Sequence, residues 1–495
     1  MEERPAEPIL SRFLSGTLST GIGSMFVIIS GFAGLMLITR WVPAEEYGVF
    51  VLVQLIVSFM VGLTDLGLSL TVTQFIASNE DKAEKSLILN TSIIFRVAAA
   101  LIGSVLALLG KQVLFDFFGA SLYTDLLFYV PILILIESLI QLYQSVLEGL
   151  FQFKNIALVD FFISVTSFLS LLILVGHFQL GIMGLIFVRL ISRSVGLFYS
   201  LLTAKIAFRF EFSLIKLKRM LRFGLPLYAN YILDFIFTKA GTFIIGALLG
   251  PAQIAFYEIA RKIPDSLEML YNAFRQVYFP FLSNLFGTGR KNEASQMLNH
   301  STRLIAFFGI MGSLIAFLFG EEIIVMLFSP EYLPSVPAFY ILMIALTLTI
   351  IDNTLGYSLV AVGESSKPPL INILRTVVTL GSFALLIPLL GISGAALSTI
   401  IGTSLVNPIN MYFLRRKDVS AKFASFLKPF LIFLALYIPV NFLLPENVLL
   451  KIAAFVLYFI IAVALSVVSL RDATTLAHEA KMLWNKRSPA KNAAD

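Results

Sequence analysis

The chain has 495 residues, of which 58% are hydrophobic and only 13% are charged, and its mean hydropathy is +0.90. This composition excludes an ordinary soluble domain, in which about a quarter of the residues are charged. The net charge of +6 lies mostly in the loops, so it predicts orientation in a membrane and not nucleic-acid binding. The chain has no cysteine, which excludes disulfides and thiolate metal sites.

Apolar runs of nearly twenty residues recur along the chain, and such a run can cross about 30 Å of hydrocarbon. We therefore predict an all-α polytopic membrane protein with fourteen transmembrane helices. The predicted spans are 13–39, 48–77, 88–110, 122–149, 156–177, 181–204, 222–249, 253–285, 295–319, 333–362, 368–389, 394–414, 424–444 and 449–471.

Loop charges predict the orientation. If the N-terminus is cytoplasmic, most of the 36 Lys and Arg residues fall in inner loops. The outer side then receives Arg40, Lys111 and Lys451. This bias is what the positive-inside rule requires. Because the number of predicted helices is even, both termini are predicted to lie in the cytoplasm. We expect the protein to reside in the cytoplasmic (inner) membrane.

The first twelve predicted helices form an internal repeat. Pro43-Ala-Glu recurs as Pro251-Ala-Gln, and Gly181-Ile-Met-Gly recurs as Gly391-Ile-Ser-Gly. Six helices per repeat give both lobes the same orientation, so a pseudo-twofold axis along the membrane normal relates them. The predicted organisation is an N-lobe (1–204), a cytoplasmic linker (205–221), a C-lobe (222–415), two further helices (416–471) and a cytoplasmic tail (472–495).

Charges inside the seventh and eighth predicted helices mark the candidate binding site. Those of the eighth fall within an arc of roughly 140° at about 100° per residue. Intramembrane charges usually face a bundle interior or a wet cavity. One interpretation is a cavity wall that binds an anionic head group. The other is a self-neutralised stripe that holds the lobes together, in which Glu258 pairs with Arg261 or Lys262, Arg261 with Asp265, and Glu268 with Arg275. The candidate residues are Asp234, Lys239, Glu258, Arg261, Lys262, Asp265, Glu268 and Arg275.

Lys239 is the sharpest of these candidates. Its nearest acid in the sequence, Asp234, lies about 140° away around the helix and is poorly placed to pair with it. Lys239 can therefore meet an anion such as a diphosphate, although a lysine can also snorkel to the interface or pair with an acid on the eighth helix.

The other intramembrane charges indicate buried networks. In the N-lobe, Arg189 and Arg193 share a helix face, and Asp160 on the adjacent helix can balance one of them. An alternative gives Asp65 or Asp160 a part in coupling to H⁺ or Na⁺. In the C-lobe, Asp352 and Arg375 are candidates for an interhelical pair, since each is isolated in an apolar segment.

The sequence does not indicate ATP hydrolysis or metal binding. The chain has no phosphate-binding loop motif, so ATP does not power it directly. The three histidines lie on separate segments, which argues against a histidine metal site. We therefore predict no cofactor and no metal.

The first two helices resemble a known family. The segment Leu37-Ile-Thr-Arg-Trp-Val-Pro-Ala-Glu-Glu-Tyr-Gly-Val-Phe and the later Leu63-Thr-Asp-Leu-Gly-Leu resemble the polysaccharide transporter family of oligosaccharide flippases. This family belongs to the multidrug/oligosaccharidyl-lipid/polysaccharide exporter superfamily.

The resemblance implies an alternating-access flippase for a polyprenyl-diphosphate-linked oligosaccharide, used in O-antigen, capsule or exopolysaccharide assembly. It also implies that the first, second, seventh and eighth helices line a central cavity, and that membrane lipids and polysaccharide-assembly proteins are partners. The chain departs from many relatives at Gly241-Thr242, where they carry an acidic residue, and Lys239 remains nearby.

Two alternatives stay open. A cation-coupled multidrug exporter of the same superfamily would share the fold, but the basic residues of the candidate site argue against it. A membrane glycan polymerase or ligase would need a large outer loop with catalytic Arg or His, and the outer loops are short. We therefore predict a transporter and not an enzyme.

Overall fold

The computed structural model describes residues 27–204, 209–419, 424–443, 448–465 and 467. Within these ranges the chain is helical and has no strand, as predicted. Nine of the described helices are long and apolar enough to cross a membrane, and five shorter apolar helices accompany them. The protein is therefore a multi-pass membrane protein. The count of fourteen spans stays a prediction, and the first and last predicted spans lie partly outside the described residues.

The described residues form two compact units. Within the described ranges, the first comprises 27–258 with 325–334, and the second comprises 259–324 with 335–467. The units are described separately below. The lobe boundaries that the repeat predicts, at 204 and 222, stay a prediction.

The described part of the first unit contains nine helices, and six of them share an apolar core. That core includes Leu68, Val72, Leu142 and Val146, all almost fully buried. The elements are α1 (Val27–Trp41), α2 (Ala44–Asp65), α3 (Leu68–Ala77), α4 (Lys82–Leu109), α5 (Lys111–Phe117), a 3₁₀ turn (Ser121–Phe128), α6 (Val130–Gly149), α7 (Phe153–Leu171), a π turn (Leu172–His177), α8 (Gly181–Ala204) and α9 (Leu214–Leu249).

The predicted helix 48–77 is broken in the structure. Leu66 and Gly67 have left-handed φ angles of 49° and 77°, so α2 ends at Asp65 and α3 begins at Leu68. Left-handed backbone is rare for leucine and easy for glycine. The backbone of Gly224 in α9 lies directly against Gly67. The break therefore lets α3 and α9 approach closely.

Helix α9 begins earlier than predicted. Ser213 caps it, since its hydroxyl accepts a hydrogen bond of 3.3 Å from the backbone N–H of Lys216. The predicted start, Arg222, is therefore inside the helix, and Pro226 is an internal proline and not a first-turn proline. An internal proline removes one backbone hydrogen bond of the helix.

The second unit packs around two apolar clusters. One joins α10, α11, α12 and α14, and the other joins α11 to α15 and α16. In the latter, the Phe307 and Tyr458 rings stack at 5.6 Å, and the Tyr458 hydroxyl donates to the Phe307 carbonyl at 3.1 Å.

The elements of the second unit are α10 (Pro251–Gly287), α11 (Lys291–Leu327), a 3₁₀ turn (Pro330–Ser335), α12 (Val336–Ala361), α13 (Lys367–Leu390), α14 (Ile392–Arg415), α15 (Ala424–Leu443) and α16 (Val448–Ala464). The first eight residues of α10, the end of α11 and most of the 3₁₀ turn belong to the first unit.

Candidate functional site

The candidate residues lie on α9 and α10, as predicted, but in different units. Lys239 and Glu258 belong to the first unit, and the charged residues from Arg261 to Arg275 belong to the second. The side chain of Asp234 lies outside the described residues. The two groups are therefore described in turn.

Lys239 lies on α9 at the wall of an apolar cavity in the first unit. The cavity has a volume of about 470 Å³, and Lys239 is the one charged residue among the described residues that line it. Its other walls come from α2, α5 and α9 and include Phe59, Phe118, Phe235 and Phe243. The surface of the cavity is apolar throughout, so Lys239 lines it with the methylene groups of its side chain.

Glu258 is held by α9. Its Oε1 accepts a hydrogen bond of 2.9 Å from the hydroxyl of Thr242. The sequence predicted pairing of Glu258 with Arg261 or Lys262 on its own helix, whereas this hydrogen bond joins neighbouring helices. The contact fixes the start of α10 relative to α9, and both residues belong to the first unit.

The next three charges remain partly exposed. Arg261 and Asp265 form the predicted i,i+4 ion pair, with 3.5 Å between Nη2 and Oδ2. Lys262, beside them, is half-buried. An exposed ion pair of this kind contributes at most about 1 kcal/mol to stability. The bases therefore keep the capacity to bind an anion.

The rest of the stripe contacts α12 through a ladder of polar side chains. Glu268 accepts from Asn353 at 3.5 Å, and the Arg275 guanidinium lies 4.8 Å from the Tyr357 ring centre and donates to the Tyr357 hydroxyl. The ladder therefore uses Arg275, which the sequence paired with Glu268.

Two tyrosines complete this ladder. The hydroxyls of Tyr271 and Thr354 lie 3.0 Å apart, and those of Tyr278 and Ser358 lie 2.9 Å apart. Sequence reasoning missed both pairs. The available signal was the four-residue spacing of Thr354 and Ser358, which puts both on one face of α12.

Asp352 is the centre of a buried polar cluster in the second unit. Its Oδ2 accepts from Arg375 on α13 at 2.6 Å, and its Oδ1 accepts from Asn410 on α14 at 2.7 Å. This is the interhelical pair that the sequence predicted, with the addition of Asn410. The cluster borders a cavity of about 140 Å³.

Asp65 lies in a similar cluster of the first unit. Its Oδ1 accepts from Arg96 at 2.6 Å and from the Ser69 hydroxyl at 2.5 Å. Arg96 is fully buried and also donates to Gln141 at 2.6 Å. The carboxylate is therefore neutralised by a fixed cation.

Arg189 and Arg193 both form ion pairs with Glu137, and the charge of Arg193 also acts on Asp160, the acid that the sequence suggested. Glu137 Oε1 lies 2.7 Å from Arg189 Nη2 and 3.0 Å from Arg193 Nε. Asp160 accepts from Gln144 at 3.3 Å. Sequence reasoning could not choose between the two acids because it does not show which helix packs against α8.

A second, larger apolar cavity lies in the second unit between α11, α12, α14 and α15. Its volume is about 860 Å³, within the usual range of about 300–1,000 Å³ for ligand sites. Most of its lining is apolar, and Asn407, Tyr412 and Arg415 contribute polar groups. Sequence reasoning did not find this cavity, because it depends on how four helices pack.

No group of three or more possible metal ligands occurs among the described residues.

Comparisons with known proteins give related sequences and related folds. A family model described as "Polysaccharide biosynthesis protein" matches residues 37–337. A Shigella flexneri protein named "Putative O-antigen transporter" is 24% identical over 379 residues, which cover 73% of this chain and 88% of that protein.

Solved transporter structures share the fold. The lipid II flippase MurJ in an inward closed conformation superposes with a TM-score of 0.69 at 17% identity, over 90% of this chain and 98% of MurJ. An inward-facing multidrug resistance MATE family transporter of the MOP superfamily gives 0.65 at 16% identity, over 81% of this chain and 98% of that one. These likenesses confirm the predicted fold class.

Proposed function

Since the matched segment 37–337 covers more than half of the chain, the protein belongs to the polysaccharide biosynthesis protein family, and we propose that it is a lipid-linked oligosaccharide flippase. This membership confirms the resemblance found in the sequence. The protein is a membrane transporter and not an enzyme. Its proposed substrate is a polyprenyl-diphosphate-linked oligosaccharide, which it moves by alternating access from the cytoplasmic to the outer leaflet for O-antigen, capsule or exopolysaccharide assembly.

The placement of Lys239 is the observation that carries this proposal. A polyprenyl diphosphate is an amphiphile with a dianionic head next to an apolar chain. Lys239 offers a related arrangement, because the methylene groups of its side chain line an apolar cavity of about 470 Å³ and the same side chain ends in a cation. A lysine binds phosphate oxygens as a point charge with three rotatable donors.

The exposed bases of α10 form a second proposed contact for the head group, within the second unit. Arg261 and Lys262 remain partly accessible, and the ion pair of Arg261 with Asp265 is long enough, at 3.5 Å, to exchange for a phosphate contact. Arginine binds phosphate in a bidentate manner. The acids Asp234, Glu258, Asp265 and Glu268 limit the positive charge and so favour release. Arg275 contributes mainly through its contact with Tyr357.

The large cavity of the second unit supplies a proposed site for the carrier chain. Its apolar walls suit a polyprenyl chain, and burial of each CH₂ group is worth about 0.8 kcal/mol. Arg415 and Tyr412 at its lining can contact a polar head or an interfacial water layer. The chain then stays in an apolar environment while the head group crosses.

The membrane potential assists the proposed direction. An inside-negative potential favours outward movement of an anion by about 2.3 kcal/mol per charge per 100 mV. Coupling to H⁺ or Na⁺ is the second proposed driving force. Of the two acids predicted for it, Asp160 is the better candidate because its hydrogen-bond partner, Gln144, is neutral and Arg193 acts on it through its charge, whereas Arg96 is hydrogen-bonded directly to Asp65.

We also propose that both termini lie in the cytoplasm and that the protein resides in the inner membrane. Contacts between loops with the same predicted side support this orientation. In the second unit, Lys291 lies 2.9 Å from Asp418 and Lys417 lies 2.9 Å from Glu364, and all four are in or beside predicted cytoplasmic loops. Polysaccharide-assembly proteins remain proposed partners.

The test is export of a labelled lipid-linked oligosaccharide by purified protein in vesicles. We expect transport by the native chain and its loss, by at least tenfold, in Lys239→Ala and Arg261→Ala. Lys239→Arg keeps the cation and should retain most of the activity. Lys451→Ala is a matched control. That lysine lies far from the candidate site in the sequence and pairs with Glu322 at 2.6 Å.

Two results would contradict the proposal. If Lys239→Ala and Arg261→Ala both transport at the native rate, the assigned binding residues are wrong. If the native protein moves small cationic dyes down a sodium or proton gradient and leaves the glycolipid in place, it is a multidrug exporter of the same superfamily.

A further inference from the structure

The turn between α1 and α2 carries the motif by which the family was recognised, and it contacts the segment 325–334. This segment follows most of α11 in the sequence and belongs to the second repeat. In the structure it belongs to the first compact unit. The turn between α1 and α2 and the segment 325–334 are both predicted to lie on the outer side of the membrane.

Arg40 at the end of α1 binds the end of α11. Its Nη2 donates to the Met326 carbonyl at 2.7 Å, and its Nε donates to the Phe328 carbonyl at 3.2 Å. The last carbonyls of a helix have no partner within the helix. A guanidinium satisfies them and also interacts favourably with the negative end of the helix dipole. Arg40 is therefore a C-terminal cap supplied by a distant segment.

Glu331, in the segment 325–334, caps the N-terminus of α2. Its Oε1 accepts a hydrogen bond of 2.8 Å from the backbone N–H of Ala44. The residue at the N-cap position is Pro43, which provides no side-chain hydrogen bond. A carboxylate at a helix N-terminus compensates the positive end of the dipole. Each of the two segments thus caps a helix of the other.

One aromatic contact closes the same junction, because the Phe32 and Phe328 rings lie 5.9 Å apart. Tyr332 packs instead against α10 of the second repeat, with its ring 5.9 Å from that of Phe256 in an edge-to-face arrangement. Phe328 and Tyr332 are fully buried. The segment 325–334 is therefore seated by apolar burial as well as by two charged caps.

Two other motif residues, Glu46 and Trp41, contact neighbours from the first repeat. Glu46 Oε2 accepts from the backbone N–H of Ile182 at 2.7 Å at the start of α8. The Trp41 ring packs against Gly176, where an added Cβ would lie 3.0 Å from it. These contacts anchor the turn between α1 and α2 within its own repeat.

We propose that Arg40 and Glu331 form a latch that holds the segment 325–334 against the turn between α1 and α2 and that opens when the transporter opens outwards. This inference rests on the proposed function in assigning a role in the transport cycle. Both residues are positioning residues that do not touch the substrate. The contacts of Glu46 and Trp41 remain formed throughout the transport cycle, because they join parts of one repeat.

Thiol labelling tests the latch without a substrate. The native chain has no cysteine, so Val42→Cys introduces a single thiol at a site that is 2% exposed. A membrane-impermeant maleimide is added from the outside. We expect slow labelling, and a rate roughly tenfold higher after Arg40→Gln or Glu331→Ala, since each change removes a hydrogen bond to a charged group.

Glu45→Gln is the matched control for this measurement. Glu45 is an exposed acid in the same turn, and its replacement should leave the labelling rate within twofold. Arg40→Lys, which can keep one of the two carbonyl contacts, should give an intermediate rate in protein that elutes normally on gel filtration. If Arg40→Gln and Glu331→Ala label no faster than Glu45→Gln, there is no latch.

Cross-linking tests the required opening. Ala44→Cys with Glu331→Cys, joined by a short thiol-reactive cross-linker that can be cleaved by reduction, should lower glycolipid export at least tenfold, and reduction should restore it. The control pair Glu46→Cys with Ile182→Cys should transport equally well when cross-linked.

The outcomes separate the two proposals. Unchanged export by the cross-linked Ala44–Glu331 pair would overturn the latch. If the native protein exports no glycolipid, the proposed function fails, and the labelling rates still decide whether Arg40 and Glu331 hold the turn closed.

Discussion

Asp352 and Arg375 join α12 to α13 through a buried contact of 2.6 Å between Oδ2 and Nη1. The carboxylate side chain is only 4% exposed and the guanidinium side chain 14%. Asn410 on α14 occupies the other carboxylate oxygen. Three helices of the second unit are therefore fixed by one ionised group.

The first prediction concerns this pair. Removal of one partner of a buried pair leaves an uncompensated charge and costs about 3–5 kcal/mol. We expect Asp352→Asn to lower the free energy of unfolding by an amount in this range, and the double variant Asp352→Asn, Arg375→Gln to recover part of it. Denaturant titration in detergent measures both changes.

Asp265→Asn provides the control for this prediction. It makes the same chemical change in an ion pair whose acid is 51% exposed, so the loss should stay below about 1 kcal/mol. Equal losses at Asp352 and Asp265 would show that burial does not determine the stability of these pairs.

The second prediction concerns the ladder between α10 and α12. Tyr357→Phe removes the hydroxyl that accepts from Arg275 and keeps the ring beneath the guanidinium. A hydrogen bond to a charged group contributes about 1.5–3 kcal/mol. We expect a loss of this size in unfolding free energy, with export reduced only in proportion to the folded protein.

Tyr412→Phe is the control for the ladder. The Arg416 guanidinium lies 4.8 Å from the Tyr412 ring centre, and this tyrosine is 52% exposed. Its replacement should not change stability. A Tyr357→Phe protein with native stability and no export would instead assign Tyr357 to the substrate.

The third prediction concerns the close approach of α3 and α9. A Cβ at Gly224 would overlap the Gly67 backbone, so Gly224→Ala should cost about 1–3 kcal/mol through overpacking. Gly356→Ala is the matched control, because nothing lies within 4 Å of an added Cβ there. Helix propensity should make that variant slightly more stable, by about 0.5–1 kcal/mol. Thermal unfolding in detergent compares the two, and equal midpoints would contradict the packing argument.

The fourth prediction concerns pH. The hydrogen bond and charge of Lys417 hold the pKa of Glu364, in the loop between α12 and α13, below its usual value. A folded-state pKa below that of the unfolded state stabilises the fold above the unfolded value of about 4.3. The contribution is lost as the pH falls through the folded-state pKa.

The measurement is the unfolding midpoint from pH 7 to pH 3 for the native chain and Glu364→Gln. The variant should be slightly less stable at neutral pH and equally stable at the acid end, and added salt should shrink the difference because the group is exposed. A difference that does not depend on pH would contradict the ionic origin.

Features that depend on hydropathy and on isolated charges could be predicted from the sequence. Asp352 and Arg375 could be matched because each interrupts an apolar helix and therefore needs a partner. Lys239 was identified by the same reasoning. Both inferences use the cost of an intramembrane charge, which does not depend on the details of packing.

Other features depend on tertiary packing. Glu137 could not be assigned to Arg189 before the neighbour of α8 was known. The tyrosine ladder carries no hydropathy signal, since Tyr271 and Tyr278 fit an apolar helix face equally well. The break at Leu66 was missed because a left-handed leucine has no local sequence signature.

The buried pair of Asp65 and Arg96 has a consequence for biogenesis. The chain is synthesised from its N-terminus, so α2 with its aspartate emerges before α4 supplies the arginine. Lateral release of α2 alone would expose a carboxylate to hydrocarbon. The two helices should therefore leave the insertion machinery together, and a ribosome stalled between them would leave α2 at the translocon.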